Sequence, residues 1–480
     1  MCPTSPFVWQ PTPELLRETT LAAFLQQHGL PDYEALLRRA DADPRWLWDA
    51  VLRFFDVRFS RPYDDILDRS AGREWPRWCV GGETNLVLNA LDRHRDTATW
   101  SRTALVWEGE DGTVRRRTYA ELARETAQLA NGLHALGLGP GDVIALYLPM
   151  VPEIAAAFFA IAKIGAIVMP LFSGFGPQPI RDRLVDSGAK AIITCDSGWR
   201  RGHRIAMKST VDAASADVHA LRHVVVLAHA GGDAPMQVTR DVWWHDLVRN
   251  RDTDAPTVAI PADAPAMLMY TSGTTGKAKG TVHTHCGLIG KNLLDVGLCL
   301  DLKAGDRVMW LSDIGWVAGT KVIISAALLG ATVVLAEGTP DYPDAGRQWR
   351  LVEQHRITLL GTIPTAVRQL MRQPIDVVSR HDLQSLRGIV TAGEPWNEEA
   401  WLWFFEHVCR RRIPILNYGG GTECGGATLI GSFHRPLKPC AFGSAVPGSG
   451  ADVVHPDGRP CVPGEMGELV LRNPAIGLTR

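Results

Sequence analysis

Residues 270–280 read Tyr-Thr-Ser-Gly-Thr-Thr-Gly-Lys-Ala-Lys-Gly, with three glycines, four hydroxyl residues and two lysines in one short stretch. Glycines let backbone amides approach phosphate oxygens closely, hydroxyls add donors, and lysine supplies a point charge, so residues 271–279 suit a polyphosphate. The spacing is not that of a Walker A loop: two residues separate Gly273 from Gly276-Lys277, and Ala278 stands where that motif needs a hydroxyl. A second glycine run, Gly419-Gly420-Gly421, ends in Thr422 and Glu423. There a hydroxyl could face a phosphate and a carboxylate could hold a hard cation such as Mg²⁺. His283, His285 and Cys286 form a third cluster, but without further ligands elsewhere in the chain packing or loop support is the better reading. No Gly-x-Ser-x-Gly elbow is present to build a Ser-His-Asp triad.

These loops need strands to hold them. Residues 266–270 (Ala-Met-Leu-Met-Tyr) read as a strand running into the first loop, and residues 414–418 (Pro-Ile-Leu-Asn-Tyr) as one running into the second. Upstream, residues 103–108, 143–149, 191–195 and 223–227 are strand-like, and residues 152–164 form an apolar helix between two of them. Thr118 and Glu121 have the spacing of a capping box at a helix start. Residues 331–336 and 387–391 continue the alternation, and strands alternating with helices predict an α/β fold, a mostly parallel sheet covered by helices. Ligands in such sheets bind at strand C-termini, so the glycine loops are expected to share one cleft. Residues 1 to about 75 look helical and tryptophan-rich, and short strands and turns after Gly443 suggest a small β unit.

Composition limits what the cleft serves. With 480 residues, 46% of them hydrophobic, the chain can bury more than one core. A formal charge of −2 argues against a general nucleic-acid partner, and the clusters Arg115-Arg116-Arg117 and Arg410-Arg411-Arg412 read as solvated faces. Nine scattered cysteines without a Cys-x-x-Cys pair fit reduced thiols and a cytoplasmic setting. The apolar stretch 154–172 is broken by Lys163, Gly165 and Pro170, which makes it a buried helix and strand, not a membrane span.

The ordered set of Tyr-Thr-Ser-Gly-Thr-Thr-Gly-Lys-Ala-Lys-Gly, Gly-Glu-Pro (393–395) and Gly-Thr-Glu (421–423) resembles the adenylate-forming superfamily, specifically the acetyl-CoA-synthetase-like acyl-CoA synthetases. Runs such as Asp313-Ile-Gly-Trp316 and Glu337-Gly-Thr-Pro-Asp-Tyr-Pro343 extend the resemblance over nearly the whole chain. It implies the large N-terminal domain of those enzymes, with helix-covered, mostly parallel sheets and a small barrel-like unit. The expected division is a helical extension over residues 1–100 and an adenylation domain over residues 101–480.

The resemblance further implies a ligase using ATP, Mg²⁺ and CoA, in which a small carboxylic acid attacks the α-phosphate and CoA thiol then displaces AMP. Thr271, Ser272, Gly273, Thr274, Thr275, Gly276, Lys277 and Lys279 would hold the β- and γ-phosphates. Gly393, Glu394, Pro395 and Asn417 would line the adenine, with Tyr418, Gly419, Gly420 and Gly421 beside the nucleotide. Thr422 would meet the α-phosphate, Glu423 the metal, and Arg200 a CoA phosphate. Thr271, Lys279, Thr422 and Glu423 form the catalytic set. Trp316, Val317, Ala318, Ala392 and Gly420 would line the acyl pocket.

Acetyl-specific relatives close that pocket with a tryptophan where this chain has Gly420, and Ala318 and Ala392 replace larger residues, so an acid longer than acetate is expected. The residue that stacks on adenine in the family corresponds to Gly419, with Tyr418 displaced by one. The family's ribose-binding aspartate, hinge and mobile C-terminal domain do not occur before Arg480. The expectation is an adenylation domain impaired on its own; a half-enzyme with a separate partner and a non-catalytic adenylate binder are the alternatives. Self-association is left open.

Overall fold

The computed structural model describes residues 6–72, 74–271 and 277–479. The N-terminal helices Pro13–Glu18, Thr20–Gln27, Tyr33–Ala42 and Pro44–Phe54 each begin at a side-chain cap, from Thr12, Thr19, Asp32 and Asp43 respectively. Each cap oxygen accepts an otherwise unpartnered amide of the first turn. Phe24 packs edge to face with Phe54 and tilted against Trp46 between these helices. Helical structure ends at Phe54, short of the expected residue 75. Asp65–Asp68 instead pairs antiparallel with Arg77–Val80, where Trp78 meets Trp48 at 5.8 Å.

Two large sheets carry the rest. The seven-stranded sheet runs Asp241–Trp243, His223–Leu227, Ala191–Cys195, Val143–Leu146, Ile167–Pro170, Pro265–Thr271, Lys279–Thr284. Its neighbours are parallel except for the last pair, a hairpin in which Thr271 faces Lys279. The nine-stranded sheet has parallel strands Ile415–Gly421, Gly388–Thr391, Leu359–Thr362, Arg307–Trp310, Thr332–Ala336 and Thr103–Glu108 at its centre. Antiparallel strands flank them, Val114–Thr118 at one edge and Gly426–Ile430 followed by Ser444–Ala445 at the other.

The apolar run 154–172 becomes the helix Glu153–Lys163 and the strand Ile167–Pro170. That helix is buried from Ile154 to Lys163, and the Lys163 ammonium meets Asp92 at 3.1 Å and the Thr257 hydroxyl at 2.5 Å. A helix apolar on nearly every face belongs in an interior, and its buried charge, Lys163, is paired. The capping box forms at the helix Tyr119–Ala135: the Thr118 amide donates to Glu121 Oε2 at 2.8 Å and the Glu121 amide to Thr118 Oγ1 at 3.2 Å. The arginine cluster 115–117 lies on the edge strand Val114–Thr118, with Arg115 paired to Glu153 and Arg117 to Glu125. Beyond Gly443, Ala451–Val454 and Glu468–Leu471 make the small antiparallel unit. Among the described residues no helix is long and apolar enough to cross a membrane.

Candidate functional site

A cavity of about 1300 Å³ opens where loops leave the C-terminal ends of parallel strands. Its wall includes segments following Ile167–Pro170, Arg307–Trp310, Thr332–Ala336 and Gly388–Thr391, together with the end of Ile415–Gly421. Three polar devices set its geometry.

First, Asp313 fixes the turn before the helix Val317–Leu329. Its carboxylate accepts from the Gly315 amide at 2.8 Å and from the Ser173 amide and hydroxyl, tying the turn to the segment at Phe172. Burial pushes the Asp313 carboxyl up, while the Ser173 and Gly315 donors work in the opposite direction. Trp316, the residue preceding the helix, stays 61% exposed with its ring 6.1 Å from Phe172, and Val317 and Ala318 follow it along the cavity wall.

Second, Glu394 fastens its loop to the helix Pro364–Leu370, accepting from the Thr365 amide at 2.6 Å and Arg368 at 2.7 Å. Burial alone would raise the Glu394 carboxyl, but the Thr365 and Arg368 donors outweigh it and hold it below the usual range. Ala392, Gly393 and Pro395 thus line the cavity on a tethered loop.

Third, an antiparallel hairpin, Ser197–Arg200 with His203–Ala206, carries Arg200 to the rim. Acids clamp it: Glu337 accepts the Trp199 amide at 2.9 Å and bonds His229, Glu110 accepts the Arg201 and Gly202 amides, and Asp341 pairs with Arg201. The basic residues 200–204 thus belong to a built element.

The structure brings Arg200, Trp316, Val317, Ala318, Ala392, Gly393, Glu394, Pro395, Asn417, Tyr418, Gly419, Gly420 and Gly421 onto one cavity wall. Thr271, Lys277, Lys279, Thr422 and Glu423 are not on it. Ser272, Gly273, Thr274, Thr275 and Gly276 lie outside the described residues. Thr422 and Glu423 form a short 3₁₀ turn directly after the cavity strand, and the Glu423 side chain is exposed. Its carboxylate has no hydrogen-bond partner among the described residues; with the Thr422 hydroxyl it offers the hard oxygen donors that suit Mg²⁺. Thr479 links this turn to the hairpin: its amide donates to the Glu423 carbonyl at 2.8 Å, and its hydroxyl accepts from the Val282 amide at 2.8 Å.

Within the glycine run the side chains diverge. Asn417 is buried, with Oδ1 accepting from Thr391 and Nδ2 donating to the Ala441 carbonyl. Tyr418 turns inward, its hydroxyl donating to Asp295 at 2.6 Å and its ring lying edge-on to Trp310. Gly419 packs under an aromatic ring: a Cβ there would lie 2.7 Å from Phe442, which is 41% exposed and lines the cavity. At Gly420 a Cβ would lie 1.9 Å from the Gly426 carbonyl, so the close approach of the two strands requires glycine. Sequence reasoning missed Phe442, because its place depends on a cross-strand neighbour and not on any motif.

His283 and His285 are buried, and burial takes both rings down to about 4. His285 Nδ1 accepts the Leu86 amide, and His283 Nε2 bonds the Thr281 hydroxyl. Both side chains thus support the junction of the strand Lys279–Thr284 with the helix His285–Asn292.

Residues 92–479 match the AMP-binding enzyme family, and residues 33–90 match the acetyl-coenzyme A synthetase N-terminus. The acetyl-coenzyme A synthetase of Chlorobaculum tepidum is 37% identical over 474 residues, covering 98% of this chain and 70% of that protein. That of Deinococcus radiodurans is 37% identical over 456 residues, covering 94% of this chain and 69% of its own. Among solved structures, acetoacetyl-CoA synthetase from Streptomyces lividans superposes with a TM-score of 0.92 at 29% identity, covering 99% of this chain and 73% of that one.

Proposed function

Because the chain belongs to the AMP-binding enzyme family, among the acyl-CoA synthetases, we propose that its cavity binds the acyl-adenylate of a carboxylic acid larger than acetate. The supporting observation is the gathering of the Gly393–Pro395 loop, the glycine run 419–421 and Arg200 around one cavity at strand C-termini. In the reaction proposed, a carboxylate oxygen attacks the α-phosphorus of ATP, the bond to pyrophosphate breaks, and acyl-AMP forms. The thiol of CoA then adds at the acyl carbon, loses its proton, and the carbon–oxygen bond to AMP breaks.

Gly393, Glu394 and Pro395 line the adenine, with Phe442 supplying the aromatic face that Gly419 lacks. Thr422 donates to the α-phosphate. Residues 271–279 cradle the outer phosphates, with Lys277 and Lys279 exposed where the hairpin resumes. When bound at Glu423, Mg²⁺ would neutralise phosphate charge. Arg200, presented by its clamped hairpin, meets a phosphate of CoA.

The acyl chain lies between Trp316, Val317, Ala318, Ala392 and Gly420. With alanine at 318 and 392 the wall leaves room beyond two carbons; Gly420 adds none, because the Gly426 carbonyl fills the direction a side chain would take.

Non-hydrolysable acyl-sulfamoyl adenosines, titrated calorimetrically, test the reading together with acid-dependent ATP–pyrophosphate exchange. Hexanoyl and benzoyl mimics are expected to bind more tightly than the acetyl mimic. Failure of every mimic to bind overturns the adenylation reading, and acetate preferred over hexanoate and benzoate overturns the enlarged pocket. Tight binding of mimics with no exchange for any acid makes the chain a binder of adenylates.

A further inference from the structure

The inner wall of the cavity carries a lysine that an apolar acyl chain would not need. Lys321 lies on the same face of the helix Val317–Leu329 as Val317 and Ala318, one turn further in, and all three line the cavity. It is 3% exposed.

Its hydrogen bonding is incomplete. Asn292 Oδ1 is 3.3 Å from the ammonium and Asp295 Oδ2 is 3.4 Å away, at the long limit for such bonds. Both acceptors serve closer donors: Ser325 reaches Asn292 at 2.7 Å, while Tyr418 and the Ala427 amide reach Asp295 Oδ2 at 2.6 and 3.0 Å. Lys291 holds the other Asp295 oxygen at 2.6 Å and donates to the Ala427 carbonyl. At least one N–H of Lys321 therefore has no partner among the described residues.

The charges do not balance either. Two buried ammonium groups face one buried carboxylate, and a surplus buried cation is costly unless something compensates it. The polar group lies directly at the wall: a Cβ on Gly426, which lines the cavity, would be 3.0 Å from Lys321 Nζ and 2.8 Å from the Tyr418 hydroxyl. The surrounding wall at Trp310, Val317 and Ala318 is apolar; Asp295 Oδ2 lies at the same point but is already taken by Tyr418 and the Ala427 amide, so a ligand acceptor placed there would be drawn to the unpartnered N–H of Lys321.

We propose that Lys321 is a specificity-determining residue that reads a hydrogen-bond acceptor, a keto, hydroxyl or second carboxylate oxygen, at the far end of the acid. The preferred substrates are then functionalised acids and not plain alkanoates. This rests on the acyl-adenylate reading above. A bond to a charged donor in a buried site discriminates about tenfold to a hundredfold against a ligand lacking the acceptor.

The test compares acyl-sulfamoyl adenosines built on butanoate, hexanoate and octanoate with their keto, hydroxy and dicarboxylic counterparts, in wild type and Lys321→Met. In the wild type at least one acceptor-bearing mimic is expected to bind tenfold or more tightly than its alkanoyl partner, and in the variant that advantage is lost while AMP affinity is kept. Equal binding of matched partners in the wild type overturns the proposal without needing the variant. An advantage that survives Lys321→Met also overturns it. Failure of all mimics, alkanoyl included, instead refutes the adenylate site itself.

Discussion

Removing Lys321 should stabilise the fold, and the amount follows from its surroundings. Burial lowers the ammonium from 10.5 to about 8; the Lys291 charge adds to that and the Asp295 carboxylate opposes it. At about 1.4 kcal/mol per tenfold change in proton affinity, carrying this charge into the fold costs roughly 3 kcal/mol. That net figure already contains the pull of Asp295, and the long bond to Asn292 returns part of it, so Lys321→Met should gain on the order of 1–3 kcal/mol at neutral pH. The sign with pH is fixed. A base whose folded value is depressed destabilises the fold fully below the folded value, and the penalty fades as pH rises through 8 towards 10.5. The advantage of Lys321→Met over wild type, read as the difference between thermal midpoints, should therefore be largest near pH 7 and shrink above pH 8. The other groups facing the site are Asp295, Lys291, Tyr418 and His283, and they are present in both proteins. A variant less stable than wild type at pH 7, or a midpoint difference unchanged across this range, would refute the reasoning.

Other perturbations separate the parts of the site. Phe442→Ala should weaken AMP and ATP binding roughly threefold to tenfold, the worth of one aromatic stack, with the KM for the acid unchanged; calorimetry with AMP reads it directly. Arg200→Ala should raise the KM for CoA on the order of tenfold, as loss of one charge-assisted phosphate contact, while acid-dependent pyrophosphate exchange stays at wild-type level. Gly420→Ala should cost about 1–3 kcal/mol of stability because its Cβ would meet the Gly426 carbonyl. Gly420→Trp should accordingly unfold at lower temperature and not become selective for acetate.

Much of the scaffold could be read from the sequence, because its signals are local. Thr118 and Glu121 lie one helical turn apart, and the apolar run from residue 154 leaves no face for water, so the cap and the buried helix follow from neighbours alone. The hairpin bearing Arg200 was hidden: its strand His203–Ala206 is exposed throughout and shows no alternation, and the acids that hold it, Glu110, Glu337 and Asp341, are far away in the chain. Lys321 was hidden by its setting, a single cation inside an otherwise apolar helix, where only the packing of Asn292, Asp295 and Tyr418 reveals that it is short of partners. Tyr418 shows the limit of reading by position. Its place beside the glycine run suggested the nucleotide, whereas its hydroxyl turns to the buried Asp295 and its ring packs edge-on to Trp310 in the inner wall of the cavity.

Thr479 acts as a ruler. One residue touches both the carbonyl of Glu423 and the amide of Val282, so the span between the acidic turn and the lysine-bearing hairpin is set by a single side chain and its own backbone. A polyphosphate bridging those two elements would meet a gap of preset width. Strain applied to the backbone at Thr479 would change both margins of that gap together.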